Sequence, residues 1–251
     1  MASTSEIGHD KNVAHLEDLI AFCIGYGATY NPSKVNLKIP ALQTLLTNGR
    51  TVIQTVKTTK TPHDNATNAR EIGFNPLKKL CTRIINSLAS TDATKQTIND
   101  AKTINRKIQG SRPGTTKTKT PLITENTETN ATAEINQISN YQQSFNSAVD
   151  FFAKLIVTIS AEPLYTPNEN DLKVTALNAT LANLKTLNTA VINVTPAFSN
   201  AMISRDVTLY QTGTGLVDIA LSVKKYVKSV YGATSLQYQQ ISGIEFKRIK
   251  K

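Results

Sequence analysis

The 251-residue chain carries 28 Lys and Arg against 18 Asp and Glu, a net charge of +10 that favours anionic partners at long range. Only 18% of its residues are charged, which predicts a polar and mostly neutral surface. Residues 1–12 lack the basic-then-apolar order of a secretory signal, and the longest apolar stretch, 19–28, is too short to cross a membrane. We therefore expect a cytoplasmic protein by default, with signal-independent export left open.

Apolar residues recur along the chain at spacings of three and four, which places them on one face of a helix. In chain order the first half predicts a short helix over about 11–24, a turn at Tyr30, a long helix from near Ser33 and a second long helix from near Pro62. Proline is tolerated in a first turn because its missing amide hydrogen has no partner there. Pro76 should break that helix, and further helices are expected over 77–89 and 92–109.

The second half of the sequence repeats the first. An offset of 135 residues places Tyr30 on Tyr165, and about 13 of the 45 positions from 30 to 74 are then identical, where chance predicts about three. The helices expected in this half lie over 142–160, from near Asn168, from near Pro196, and over 216–230. Gly213 and Gly215 occupy the break that corresponds to Pro76. Residues 235–251 fit a short strand or an extended tail about as well as a helix.

These patterns predict an all-α protein made of two tandem copies of an antiparallel helical-bundle unit. The first copy covers residues 1–109 and the second covers 134–251. The intervening residues 110–133 are rich in Thr and nearly free of apolar side chains, so they bury too little surface to offset the entropy of ordering. We interpret 110–133 as a flexible linker.

No catalytic, cofactor-binding or metal-binding constellation is recognisable. The three histidines, His9, His15 and His63, have no metal-ligand spacing, and the Gly-x-Gly triplets at 25–27 and 213–215 lack the remaining features of a phosphate-binding loop, which favours helix ends. Cys23 and Cys81 lie in apolar stretches, where we expect buried free thiols. We therefore expect a protein that is not an enzyme.

Two kinds of matched residue are candidate packing determinants. Tyr30 and Tyr165 recur with a following proline, which indicates a packed corner. Arg70-Glu71 falls on Arg205-Asp206. Because adjacent residues on a helix do not face each other, we expect these four side chains to pair with other helices. A ligand-binding arginine, used twice, is the alternative.

Basic residues concentrate near the end of each copy and form the candidate contacts for nucleic acid or another polyanion. The alternative is that they are solvated side chains that keep the protein soluble. The candidates are Lys102, Arg106, Lys107, Arg112, Lys224, Lys225, Lys228, Lys247, Arg248, Lys250 and Lys251.

Several segments together resemble a bacterial family. They are Gly-Tyr-Gly followed by Asn-Pro-Ser, Asn-Ala-Arg-Glu with Phe-x-Pro-Leu, Thr-Arg-Ile-Ile-Asn-Ser-Leu, and Asp-Ala-Lys-Thr-Ile-x-Arg-Lys-Ile-Gln-Gly. The resemblance covers most of the chain. It implies a bacterial source and, because the family is uncharacterised, no activity.

Two functions compete on this sequence. A tandem duplication gives the molecule two similar surfaces, and head-to-tail contacts between such surfaces propagate into rings or filaments. We therefore expect a structural protein that associates with itself in a larger assembly. Binding of nucleic acid or another polyanion, without sequence specificity, is the alternative.

Overall fold

A computed structural model describes residues 4–110 and 144–249, with side chains from residue 8. The predicted linker, Gly110 excepted, lies outside the described residues. Within them the chain forms helices and turns and no strand, which confirms the all-α prediction. The α-helices of the described ranges are α1 Thr4–Gly25, α2 Ile39–Phe74, α3 Leu77–Ala89, α4 Lys95–Gln109, α5 Phe145–Ser160, α6 Val174–Tyr210, α7 Leu216–Tyr231 and α8 Leu236–Ser242. No described helix has the length and apolar character needed to cross a membrane.

The prediction of separate helices beginning near Pro62 and Pro196 is wrong. Each proline lies inside one long helix, α2 or α6. Both prolines are exposed, and so are Thr58 and Ile192, four residues earlier, whose carbonyls lose their helical partner. The freed carbonyls therefore lie on the solvent side of the helix, where hydration lowers the free-energy penalty of the proline.

Threonine is frequent in α2 although its β-branched side chain is a modest helix former. Along the exposed face the hydroxyls of Thr44, Thr47, Thr51 and Thr55 each donate to the carbonyl four residues earlier, at 2.9–3.0 Å. These bonds satisfy the hydroxyls within the helix. The Thr-rich composition is thus compatible with a helix of 36 residues.

The long helices end where the sequence predicted a break. Pro76 separates α2 from α3, and the segment with Gly213 and Gly215 separates α6 from α7. Gly213 has φ +77°, a conformation that favours glycine. A Cβ on Gly215 would lie 2.6 Å from the backbone nitrogen of Gln211, so only glycine fits there.

The described chain divides into two compact units. Unit 1 takes its residues from Met1–Asn65 and Asn193–Lys251. Its core packs α1 against α7 and α8, with Leu16, Leu19 and Leu216 fully buried. Each such side chain contributes about 1.5–3 kcal/mol to folding. Gly49 lets α2 approach this core, because a Cβ there would meet Val13 at 3.2 Å.

The sequence left residues 235–251 open between a strand, an extended tail and a helix, and residues 235–249 form a short helix and a tail. Ser235 caps α8 by accepting from the Tyr238 amide at 3.1 Å, and an irregular tail follows the helix. Buried Asn12 of α1 holds this tail, since its amide group donates to Lys247 O at 2.8 Å and accepts from Lys247 N at 3.0 Å. One side chain thereby satisfies two backbone groups of the tail.

Unit 2 lies within Ala66–Ile192. Its core contains α3, α4, α5 and the first part of α6, with Phe152, Ile84 and Leu177 fully buried. Helix α4 packs against both α3 and α5. The Thr94 hydroxyl accepts from the Thr97 amide at 3.2 Å and so caps the start of α4. Gly110 ends α4 with φ +71°.

The compact units do not coincide with the two predicted copies, 1–109 and 134–251. Unit 1 combines helices from the beginning of the first copy with helices from the end of the second, and unit 2 combines the remaining parts. Apolar periodicity specifies which face of a helix is buried but not which helix covers it. The partner helices are therefore information that the structure adds.

Candidate functional site

Tyr30 and Tyr165 lie in buried corners with the same contact. The Tyr30 hydroxyl donates to Leu37 O at 2.6 Å, and the Tyr165 hydroxyl donates to Leu172 O at 3.0 Å. In each case the accepting residue ends a short 3-10 turn that leads into a long helix. Burial raises the pKa of Tyr165 to about 12, and it raises the pKa of Tyr30 as well. Both hydroxyls are thus neutral donors that fix the turn.

Arg70 lies in unit 2 and contacts other helices, as expected. Its guanidinium carbon is 4.0 Å from the ring centroid of Phe145, and its Nη1 donates to Asn188 Oδ1 at 3.3 Å. Asn188 in turn donates to Asn146. Among the described residues the buried Nε of Arg70 has no hydrogen-bond partner. The arrangement is a cation-π contact with an amide network, which ties α2 to α5 and α6 within the unit.

Arg205 and Asp206 contradict the expectation that neighbours on a helix do not pair. Buried Arg205 donates to Asp206 Oδ1 from Nε at 3.0 Å and from Nη2 at 2.8 Å. An arginine side chain is long enough to fold back onto the preceding or following residue, and burial favours a nearby carboxylate. Glu71, which aligns with Asp206 at the sequence offset of 135, is exposed.

Three of the basic candidates in unit 1 already make hydrogen bonds or ion pairs with other residues of the unit. Lys224 donates to Ser242 O at 2.9 Å and to Ile244 O at 2.8 Å, and burial lowers its pKa. Arg248 donates to Tyr210 O and, at 2.7 Å, to Asp218. Lys247 forms an ion pair with Glu245 at 2.7 Å. Lys224 and Arg248 therefore hold the chain near α8 and the tail.

The remaining basic candidates differ in surroundings. Lys225 is exposed, and Lys228 Nζ lies 5.5 Å from the Tyr238 ring centroid. On α4 Lys102 and Arg106 are exposed, and Lys107 lies 5.3 Å from the Phe151 ring centroid. Arg112, Lys250 and Lys251 lie outside the described residues.

Sequence reasoning missed a set of exposed, uncharged side chains at matched positions of the two long helices. We call these side chains the α2 triplet, Asn68, Ala69 and Ile72, and the α6 triplet, Ile203, Ser204 and Val207. All six residues are exposed, and the two triplets are related by the offset of 135. Ile72 is 74% exposed and Val207 51%. The sequence alignment at the offset of 135 already matched Ile72 with Val207, since each directly follows one of the matched Arg-acid pairs.

The thiols and imidazoles serve packing. Cys23 and Cys81 are buried and free, as predicted, and burial raises the pKa of each to about 12. His9 Nδ1 lies 2.6 Å from the Tyr210 hydroxyl, and His15 Nδ1 lies 2.6 Å from Glu245 O. The His63 ring centroid is 5.1 Å from that of Phe198, its match in the other half of the sequence. Among the described residues no three His, Cys, Asp or Glu side chains are grouped to hold a metal ion.

The described features therefore comprise two tyrosine corners, an arginine network, an internally paired arginine, a basic helix and two uncharged triplets. No protein-family model, curated protein or solved structure matches the chain.

Proposed function

We propose that this protein is a structural protein that associates with copies of itself, built on a tandem duplication of one helical unit. The observation that carries the proposal is the pair of uncharged triplets on α2 and α6. Isolated exposed apolar residues are ordinary. Ile72 and Val207 are β-branched residues exposed at the same register position of the two long helices, and the proposal takes this recurrence as its starting point.

Support for the duplication comes from elements that keep the sequence offset. Helix α6 begins 135 residues after α2, and the tyrosine contacts with Leu37 and Leu172 keep the same offset. Fully buried Leu42 corresponds to fully buried Leu177. Each copy also places a break before the next helix, at Pro76 and at Gly213. Equal contacts at equal spacing favour one unit used twice.

Head-to-tail association needs two surfaces that contact each other without the reciprocal contact. The α2 triplet and the α6 triplet differ at all three aligned positions. In the proposed arrangement the α2 triplet of one molecule contacts the α6 triplet of the next, and the reciprocal pair is not made, which makes the contact heterologous. Heterologous contacts extend into rings or filaments, whereas isologous contacts stop at a dimer.

Sedimentation velocity over a concentration series tests the proposal. The wild-type protein should show species larger than the monomer that grow with concentration. The double variant Ile72→Asp/Val207→Asp should sediment as a monomer, because a carboxylate desolvated in an apolar contact is strongly unfavourable.

The matched control is Asn48→Asp/Asn183→Asp, which makes the same charge change at exposed positions that also share the offset of 135 on α2 and α6. This control should assemble like the wild type. A monomeric wild type at every concentration, or equal loss of assembly in both double variants, would contradict the proposal.

Polyanion binding remains a second candidate because of one face of α4. Lys95, Lys102 and Arg106 are exposed at positions i, i+7 and i+11, on one side of the helix with Asn99 between them. Arg106 is oriented by a bond to Thr103 Oγ1 at 2.7 Å. A titration with double-stranded DNA over a salt series should show affinity that falls steeply with salt. Unchanged binding in Lys102→Ala/Arg106→Ala, or no binding at low salt, would remove this candidate.

A further inference from the structure

One end of unit 1 brings four segments of the chain together. Tyr26, which directly follows α1, packs on Tyr231, the last residue of α7, with the ring centroids 5.4 Å apart. The Tyr26 hydroxyl donates to Gln237 O at 2.8 Å, in the first turn of α8. The 3-10 turn that leads into α2 also contacts α7. Residues 26–38 and 226–238 therefore meet at one surface, which we call the tyrosine end of unit 1.

The tyrosine end carries cations and no acid. Lys34 and Lys38 flank the 3-10 turn, and Lys228 lies in the last turn of α7. All three lysines are exposed. Residues 19–63 contain no Asp or Glu, and neither do residues 219–244. The tyrosine end is therefore positively charged at neutral pH.

Exposed apolar side chains lie among these cations. Val35 is 68% exposed, Leu236 is 74% exposed and Val230 is 44% exposed. The tyrosines of this end are partly buried against the core of the unit, and they stand at positions 26, 226, 231 and 238. Tyrosine favours such a boundary, where the ring contacts apolar groups and the hydroxyl meets water. The tyrosine end thus combines positive charge, apolar side chains and boundary tyrosines.

The matching turn of unit 2 lacks this combination, although it contains the same tyrosine corner. At the sequence offset of 135, Glu169 aligns with Lys34 and Asn170 aligns with Val35. Asp171 adds a second acid to the turn of unit 2. The corner therefore forms without a lysine or an exposed valine at these positions. Packing of the turn does not account for Lys34 and Val35.

We propose that the tyrosine end binds the surface of a lipid bilayer that contains anionic headgroups. The lysines pair with headgroup phosphates, and the exposed apolar side chains enter the boundary between headgroups and acyl chains. These apolar side chains favour a membrane over nucleic acid, which offers phosphates without an apolar layer. Such binding needs no membrane-spanning helix. The inference concerns unit 1 alone and does not depend on self-association.

Vesicle sedimentation of the full chain tests the proposal. The wild-type protein should bind vesicles of equimolar phosphatidylglycerol and phosphatidylcholine but not vesicles of phosphatidylcholine alone, and binding should fall with salt. Lys34→Glu/Lys228→Glu should weaken binding at least about tenfold, because each lysine at an anionic surface contributes about fivefold. The matched control is Lys79→Glu/Lys185→Glu, which makes the same charge change at exposed lysines of unit 2 and should bind like the wild type.

A second variant tests the apolar contact without a change of charge. Val35→Asn/Leu236→Asn should weaken binding to the anionic vesicles roughly three- to tenfold, because the polar side chains gain nothing from the acyl boundary. Binding that depends on the lysines but is unchanged in this variant would overturn the membrane assignment and indicate a soluble polyanion such as nucleic acid.

The chain contains no tryptophan, so a single introduced tryptophan reports its own surroundings. On anionic vesicles the emission of Leu236→Trp should move to shorter wavelength and be quenched by brominated lipid. Val157→Trp is the control, because Val157 is 67% exposed but lies in unit 2, and its emission should not move. Circular dichroism checks that each variant is folded. No binding of the wild type, equal loss in the two charge variants, or equal shifts at the two tryptophan positions would overturn the inference.

Discussion

The tyrosine corners show how one hydroxyl organises a turn. Tyr30 and Tyr165 each place a ring in the core and a hydroxyl on a carbonyl seven residues later. The recurrence of Tyr with a following proline predicted a packed corner. The accepting carbonyls of Leu37 and Leu172 were beyond sequence reasoning, because backbone partners depend on the path of the turn.

Removal of either hydroxyl should weaken the fold. Tyr30→Phe and Tyr165→Phe each leave a carbonyl near the core without its donor, and we expect a loss of about 1–3 kcal/mol in the free energy of unfolding. Urea unfolding followed by circular dichroism measures the loss. Tyr238→Phe is the control, because Tyr238 is only partly buried and its ring contact with Lys228 is retained. Equal losses in all three variants would contradict the assignment.

Arg70 and Arg205 align in the sequence but make different contacts. Arg70 stacks on Phe145, whereas Arg205 binds its neighbour Asp206. The residue pattern did not distinguish these outcomes, since arginine reaches partners in several directions. Contacts of long side chains require the surrounding helices to be known.

At the scale of elements, most helices were predictable because their apolar spacing is regular. The breaks at Pro76 and at Gly213 and Gly215 were also predictable from residue chemistry. The continuity of α2 through Pro62 was not. Whether a proline ends a helix depends on what solvates the freed carbonyl, and the sequence alone does not locate Thr58 on the exposed side.

Replacement of the internal prolines should stabilise the protein. Pro62→Ala and Pro196→Ala restore one backbone hydrogen bond each, and we expect gains of up to about 3 kcal/mol, reduced by the greater freedom of the unfolded chain. Pro163→Ala is the control, because this exposed proline lies in a turn outside the helices. Thermal unfolding measures the change. A loss of stability in Pro62→Ala would indicate that the proline bend is needed for packing.

The connection between α6 and α7 should make the stability of the folded state depend on pH in the acidic range. Asp218 accepts from the Gly213 amide at 2.8 Å and from Arg248 at 2.7 Å, and these bonds lower its pKa below the usual 3.8. A carboxylate with a lowered pKa stabilises the folded state above its unfolded pKa, and this contribution is lost as the pH falls through the folded value.

Asp218→Asn should therefore lower the melting temperature at pH 6. The difference from wild type should shrink between pH 5 and pH 3, as the wild-type carboxyl becomes protonated. Asp100→Asn on α4 is the control, because Asp100 is exposed. A difference that is constant over this pH range would show that the Asp218 carboxylate does not supply the stability.

At the scale of the whole molecule, the two predicted copies and the compact units divide the chain differently. Each unit joins the beginning of one predicted copy to the end of the other. Register and periodicity predicted the copies and the buried faces of their helices. They did not predict which helices pack together, because apolar periodicity marks the buried face of a helix and not the helix that covers it.

A mixing experiment tests head-to-tail association most directly. In this geometry the α2 triplet of one molecule contacts the α6 triplet of the next molecule. Ile72→Asp therefore keeps an intact α6 triplet, and Val207→Asp keeps an intact α2 triplet. Sedimentation velocity should show each single variant as a monomer. An equimolar mixture should form a dimer that does not grow with concentration, because the remaining surfaces are both blocked. Self-association of either single variant, or a mixture that stays monomeric while the wild type assembles, would contradict the account.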